Sequence, residues 1–253
     1  GDPRLAAYTR LTDMQLRMVA EPADGIFIAE GEKVIRRALA AGLEMRSALM
    51  APKWLPALAA VIPDAIPVHL APPELLADIT GYRVHRGALA VFARPAPPPP
   101  AAILQSATTA LLLEDLVDHA NVGTILRSAA GFGVDAVLVT DKCADPWYRR
   151  AVKTSMGAVF TIPWTVVPDV HAGLSAAQQA GFSSVALDPA GAMSLRQWRR
   201  AGPTMLALGT EGTGLSRAAR EGIDVHVSIP MARGVDSLNV AAAAAVACYA
   251  LTS

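Results

Sequence analysis

The sequence predicts an α/β protein in two parts: a small sandwich of short strands and helices, then a larger unit of buried, largely parallel strands alternating with helices. Three observations carry this. The run Arg94-Pro95-Ala96-Pro97-Pro98-Pro99-Pro100-Ala101 reads as a semi-rigid extended spacer, because proline lacks the amide N–H and fixes φ. Beyond it, apolar runs recur between helix-like segments, the pattern of strands covered on both faces. Hydrophobic residues make up 53% of the 253 residues, enough for a real core and against disorder. The predicted organisation is residues 1–94, a spacer at 95–101, and residues 102–253.

In the first part, residues 5–19 are expected to be helical. Strands are expected at 25–29, 47–50, 66–70 and 88–92, with helices at 31–41 and 53–61 between them, which makes a small α/β unit. In the second part, strands are expected at 110–113, 136–139, 185–187, 205–208 and 225–229. Helices are expected near 121–132, 147–155, 169–181, 215–221 and 238–251. The last is apolar all round and is therefore expected to be buried, within its own domain or against a second subunit.

Lys plus Arg is 22 and Asp plus Glu is 22. The balance excludes a nucleic-acid binder held by bulk charge alone, but not a local basic patch. Residues before 96 carry 11 basic and 10 acidic side chains, so neither half is a charged tail. The two cysteines, Cys143 and Cys248, form neither a metal-ligand cluster nor a disulfide framework, so no metal is expected and a reducing, cytoplasmic compartment is. The start has no initiator Met and no signal-peptide pattern. The longest apolar run, 238–251, is too short and alanine-rich for a membrane span.

Three segments carry chemistry-bearing residues. Asn121-Val122-Gly123-Thr124-Ile125-Leu126-Arg127 follows the strand at 110–113 and the acidic stretch 114–118. Asn121 suits a helix N-cap. Val122, Ile125, Leu126, Ala129 and Ala130 form a core-facing stripe that leaves Arg127 outside it. The second segment, Leu208-Gly209-Thr210-Glu211-Gly212-Thr213-Gly214, runs from a strand into a glycine-rich turn. Its G-x-x-G-x-G spacing is not that of a dinucleotide loop, and a carboxylate at Glu211 would repel phosphate. The third, Ile229-Pro230-Met231 followed by Ser237-Leu238-Asn239, places Ser237 and Asn239 at a helix start. Read singly, each segment is also satisfied by a capped helix or a tight turn.

Taken together and in this order, the three segments resemble the SpoU/TrmH family of SPOUT RNA methyltransferases over most of residues 106–252. Residues 27–34 and 86–91 resemble that family's ribosomal-protein-like substrate-binding domain. Asp118-His119-Ala120-Asn121 stands where members often have Asp-Pro-x-Asn, and Arg86-Gly87 where Gln-Gly is common. The resemblance implies a C-terminal sheet with helices on both faces and a deep trefoil knot, which ordinary topology rules would not suggest. It implies a homodimer through that domain. It implies transfer of a methyl group from S-adenosylmethionine to a ribose 2′-hydroxyl of rRNA or tRNA, with rRNA the preferred partner.

The same resemblance places the cofactor against Leu208, Gly209, Thr210, Glu211, Gly212, Ile229, Pro230, Met231, Ser237 and Leu238. It gives Arg127 the central catalytic role, with Asn121, Glu211, Ser237 and Asn239 around it. RNA contacts are expected from Lys33, Arg36, Arg83 and Arg86, and from Arg149, Arg150 and Lys153 near the first segment. A catalytically inactive RNA-binding protein of the same fold is the main alternative. A nucleotide-binding α/β enzyme is the second, and the glycine spacing and Glu211 weigh against it.

Overall fold

The computed structural model describes residues 2–84 and 87–253, so His85 and Arg86 lie outside the described residues. The chain forms two compact units. One comprises Gly1–Pro95 and Trp147–Phe160, the other Ala96–Pro146 and Thr161–Ser253.

The first part of the chain contains α1 (Met14–Ala23), β1 (Ile26–Glu30), α2 (Glu32–Ala40), β2 (Met45–Met50), α3 (Leu55–Ala59), β3 (Val68–Leu70), α4 (Pro73–Thr80) and β4 (Ala88–Ala93). The sheet order is β1-β4-β2-β3, with β4 antiparallel to both neighbours and β2 parallel to β3. The continuous helix expected at 5–19 is instead a 3₁₀ turn, Pro3–Tyr8, and then α1. Leu11 interrupts it: its side chain is buried and its N–H bonds to the Thr80 carbonyl. Arg10 turns the chain at φ +54°, and Asp13 restarts the helix by accepting from the Leu16 amide at 3.1 Å.

The second part adds α5 (Pro100–Leu104), β5 (Thr109–Leu113), α6 (His119–Phe132), β6 (Ala136–Thr140), α7 (Arg149–Thr154), β7 (Trp164–Val167), α8 (Val170–Gln179), β8 (Ser183–Leu187), β9 (Met193–Ser194), β10 (Thr204–Leu208), α9 (Arg217–Gly222), β11 (Val225–Ser228) and α10 (Val240–Thr252). Helix α7 belongs to the first unit. There Phe27 packs between Phe92, Trp147 and Phe160, with ring centroids 5.4, 4.8 and 5.5 Å away. Helix α5 begins inside the proline run that was expected to be wholly extended. Pro100 sits in its first turn, where a missing N–H costs nothing.

The seven-stranded sheet of the second unit runs β7-β6-β5-β10-β8-β11-β9, and every pairing is parallel. β5, β6 and β10 are buried at every position, as strands covered on both faces should be. Ala110, Leu112, Ala136, Leu138, Met205 and Ala207 pack with Leu104 of α5, Val170 and Ala177 of α8, and Ala219 of α9. The alternate residues, among them Leu111, Leu113, Val137, Leu206 and Leu208, are buried on the other face, where α6 and α10 pack. Helix α10 buries only one stripe, Val240, Ala241, Ala244, Ala247, Cys248 and Leu251. Val246 and Tyr249 are exposed, so this chain by itself does not bury the helix all round as expected.

Candidate active site

The strand order reverses around β5 and β10, and crevices at the carboxyl ends of such strands are where open α/β sheets bind ligands. The loops after β8, β10 and β11 converge here with the start of α10 on a cavity of about 310 Å³. The loop after β10 closes on itself. Thr210 and Gly214 exchange both backbone hydrogen bonds, at 3.1 and 3.0 Å. A Cβ on Gly209 would lie 2.2 Å from the Gly214 carbonyl carbon and the Leu215 nitrogen, so only glycine permits this closure.

Helix α6 starts two residues earlier than expected. Asp118, not Asn121, is its N-cap, and the Asp118 carboxylate accepts from the Asn121 amide at 2.9 Å. The acidic cap also suits the positive end of the helix dipole better than an amide would. This frees the Asn121 side chain, whose Oδ1 accepts from Asn239 Nδ2 at 3.2 Å. Asn239 is the N-cap of α10: its Oδ1 accepts from the Ala241 and Ala242 amides, and its Nδ2 also donates to Glu211 Oε1 at 2.6 Å. The same carboxylate oxygen accepts from the Val240 amide at 3.4 Å. Asn121, Glu211 and Asn239, 118 residues apart in sequence at the extremes, thus meet in one hydrogen-bonded cluster.

Of the residues expected to hold the cofactor, Leu208, Gly209, Thr210, Glu211, Gly212, Ile229, Met231, Ser237 and Leu238 line the cavity. Pro230 does not; it lines a separate concavity with Leu195, Trp198 and Tyr249. The cavity adds Leu187, Asp188, Pro189, Gly214, Asp236, Val240 and Ala243. Leu187 ends β8 and Asp188 and Pro189 follow it directly, so the rule that ligands bind beyond parallel strand ends is the signal for this segment. Arg127 is exposed, and no hydrogen bond or ion pair engages it among the described residues. It lies on α6 six residues beyond Asn121, about 9 Å along the axis, while Val122, Ile125, Leu126 and Ala129 on the expected stripe are fully buried.

The cavity's donor set tests what it can hold. Asp188, Glu211 and Asp236 contribute carboxylates, and no Lys, Arg or His lines it among the described residues. That composition disfavours a phosphate-bearing ligand and fits a cofactor without phosphate and with positive charge, as S-adenosylmethionine has at its sulfonium. Gly212 and Gly214 have no neighbours within 4 Å of a would-be Cβ, so the cradle is open there for close approach.

Residues 108–249 match the model of the SpoU rRNA methylase family. The chain belongs to the SpoU methylase family. The methyl donor of these enzymes is S-adenosylmethionine. A relative from Mycobacterium tuberculosis, described as a tRNA/rRNA methyltransferase, is 36% identical over 99% of this chain and 89% of its own length. The SpoU methyltransferase AviRb from Streptomyces viridochromogenes, solved in complex with AdoMet, superposes with a TM-score of 0.84 at 27% identity, covering 100% of this chain and 97% of that one. An RNA 2′-O ribose methyltransferase superposes at 0.78 and 27% identity, covering 99% and 95%.

The basic residues expected to meet RNA have varied surroundings. Lys33, Arg83 and Arg150 are exposed. Arg36 is paired with Glu32 and the Ala57 carbonyl. Arg149 and Lys153 are engaged elsewhere: each donates to the fully buried Glu30 at 2.7 Å, and Tyr82 adds its hydroxyl at 3.0 Å. Burial pushes the Glu30 carboxyl up, but Lys153 and Arg149 outweigh it and hold it below the usual range. These two cations therefore act first as anchors of α7 on β1.

Proposed function

We propose that this SpoU methylase transfers the methyl group of S-adenosylmethionine to a ribose 2′-hydroxyl of RNA, with rRNA the substrate. The observation that carries the reading is the Asn121–Glu211–Asn239 cluster at a cavity lined by carboxylates and, among the described residues, by no basic side chain. The likeness to an RNA 2′-O ribose methyltransferase supports the choice of acceptor.

When bound, S-adenosylmethionine supplies an electrophilic methyl carbon on a cationic sulfur. The loops at 208–212, 229–231 and 237–238 orient it, and Asn239 and Glu211 fix those loops relative to each other. Arg127, exposed and without a hydrogen bond or ion pair among the described residues, holds a phosphate flanking the target ribose and stabilises the charge developing on the 2′-oxygen as its proton passes to solvent. Much of the rate comes from alignment of oxygen, methyl carbon and sulfur.

The finer architecture belongs to the same reading. β10 enters between β5 and β8, and β11 between β8 and β9, which supports a knotted path through the cofactor loops. The exposed Val246 and Tyr249 on α10 and Phe132 on α6, whose ring meets that of Tyr249 edge-on at 5.9 Å, support a homodimer through this unit. The first unit, with Lys33, Arg83 and Arg150 exposed, and Arg86, is the RNA-binding domain. The compartment is cytoplasmic. Among the described residues, no helix is long and apolar enough to cross a membrane.

The test is calorimetric binding of S-adenosylmethionine against NAD and ATP, followed by transfer of tritiated methyl to total RNA from a strain lacking the gene. Nucleoside mass spectrometry of the product identifies the methylated position. Binding of NAD or ATP in preference, or methyl on a base, would overturn the reading.

A further inference from the structure

Glu114 follows β5 directly and is 6% exposed. Its backbone N–H donates to the Leu208 carbonyl at 2.8 Å, at the start of the cofactor loop. Its side chain reaches the other end: Oε2 accepts from the Ser216 amide at 2.8 Å. Ser216 in turn caps α9, its Oγ accepting from the Ala219 amide at 3.1 Å. One residue therefore holds both ends of the segment 209–215, whose middle carries Glu211. The chain leaving Glu114 is fixed as well. Asp115 turns at φ +54°, its N–H donating to Thr140 Oγ1 at 2.9 Å, and the segment then runs to Asp118 and Asn121.

We propose that Glu114 is a positioning residue for methyl transfer: it clamps the glycine-rich loop at both ends and sets that loop against the segment leading to Asn121. The inference rests on the methyltransferase reading. Of the two tethers, the backbone one survives any substitution except proline; the side-chain one is specific to glutamate or glutamine. The Glu114 carboxylate is buried and its bond to the Ser216 amide is part-buried, so losing it leaves that amide without its protein partner and the loop end without its tether. The loop then gains freedom at its 216 end, and the cofactor must order it on binding.

The experiment compares Glu114→Gln, Glu114→Asp and Glu114→Ala. Glutamine keeps an acceptor at the same reach, aspartate keeps the charge one methylene short, and alanine keeps neither. The expected result is an S-adenosylmethionine Kd within about threefold of the parent for glutamine. It should rise tenfold or more for aspartate and alanine, with kcat at saturating cofactor changed less than threefold. The Ser216 amide should exchange with solvent faster in the aspartate and alanine variants but not in the glutamine one. Parent-like affinity in a folded alanine variant would overturn the clamp. So would a parallel fall in cofactor affinity, kcat and melting temperature that glutamine fails to rescue. If alanine does not fold, aspartate is judged by the same criteria. If the parent itself binds no S-adenosylmethionine, the methyltransferase reading fails, and Ser216 exchange alone still decides the clamp.

Discussion

Asn239 donates from Nδ2 to Glu211 Oε1 at 2.6 Å while its Oδ1 caps α10. One side chain thus performs two jobs with opposite chemical ends. Its acceptor end stabilises the helix and its donor end ties the helix to the glycine-rich loop.

That division predicts the behaviour of Asn239→Asp. The cap survives, because aspartate is as good an N-cap as asparagine. The donor does not: a second carboxylate would face Glu211 at hydrogen-bond distance, and like charges that close destabilise the ionised pair. Melting temperature should stay within a few degrees, while cofactor affinity falls about tenfold. An aspartate variant with parent-like affinity at pH 8 would remove the interaction's role.

Arg127→Ala is expected to fold and to bind S-adenosylmethionine as the parent does, since the side chain is exposed and packs into no core. Methyl transfer should fall by about 10²-fold or more, the scale for losing a preorganised donor to developing negative charge. Arg127→Lys should recover little, because a point charge does not reproduce the guanidinium fork. Single-turnover rates with tritiated cofactor measure the loss, with thermal melting as control. A large drop in melting temperature would instead make Arg127 structural.

How much of this was legible in the sequence depends on the range of the interaction involved. The buried strands of the second unit were readable because β5, β6 and β10 are apolar at every position. Strands β7 and β9 were not: four and two residues at the sheet edges carry little periodicity. The stripe on α6 is readable locally, but the cap is not: Asn121 suits the position by residue type, and in the structure Asp118 takes it. What decides is Asn239, whose claim on Asn121 comes from 118 residues away. The placement of 147–160 with the first unit likewise depends on Phe27 and Glu30 meeting residues over 100 positions later, which no local pattern encodes.

The glycine-rich loop makes a contrast between neighbours. Gly209→Ala forces a Cβ into the loop's own backbone at Gly214 and Leu215. It should therefore abolish cofactor binding by preventing loop closure, not by filling the cavity, and should lower the melting temperature. Gly212→Ala meets nothing within 4 Å and should leave the melting temperature within about a degree. Calorimetry and thermal melting on the pair check this. Equal damage from both substitutions would mean that the loop closes differently.

The Glu30 cluster predicts an acid dependence confined to the first unit. Its carboxyl, facing Arg149, Lys153 and the Tyr82 hydroxyl, titrates below its ordinary value of 4.5 in the folded chain. Between the lowered value and 4.5 the unfolded chain therefore binds more protons, so stability rises with pH there. The contribution is fully present above 4.5 and is lost as the pH falls through the folded value. Asp135, whose carboxyl is also held low, by the amides and hydroxyls of Thr108 and Thr109 against the effect of burial, adds a similar dependence in the second unit. Glu30→Gln separates the two. At pH 7 it should cost about 1–2 kcal/mol, the scale for losing charged hydrogen bonds whose cationic partners, Arg149 and Lys153, are partly exposed to water. As the pH falls through the acid window the difference between parent and variant should shrink toward zero, because protonated glutamate and glutamine offer Arg149 and Lys153 the same neutral partner. Urea unfolding of both proteins from pH 7 to pH 3 measures it, with Trp147, whose ring centroid lies 4.8 Å from that of Phe27, among the fluorescent reporters of this unit. A difference that stays constant across that range would mean the carboxylate's charge contributes nothing to anchoring α7.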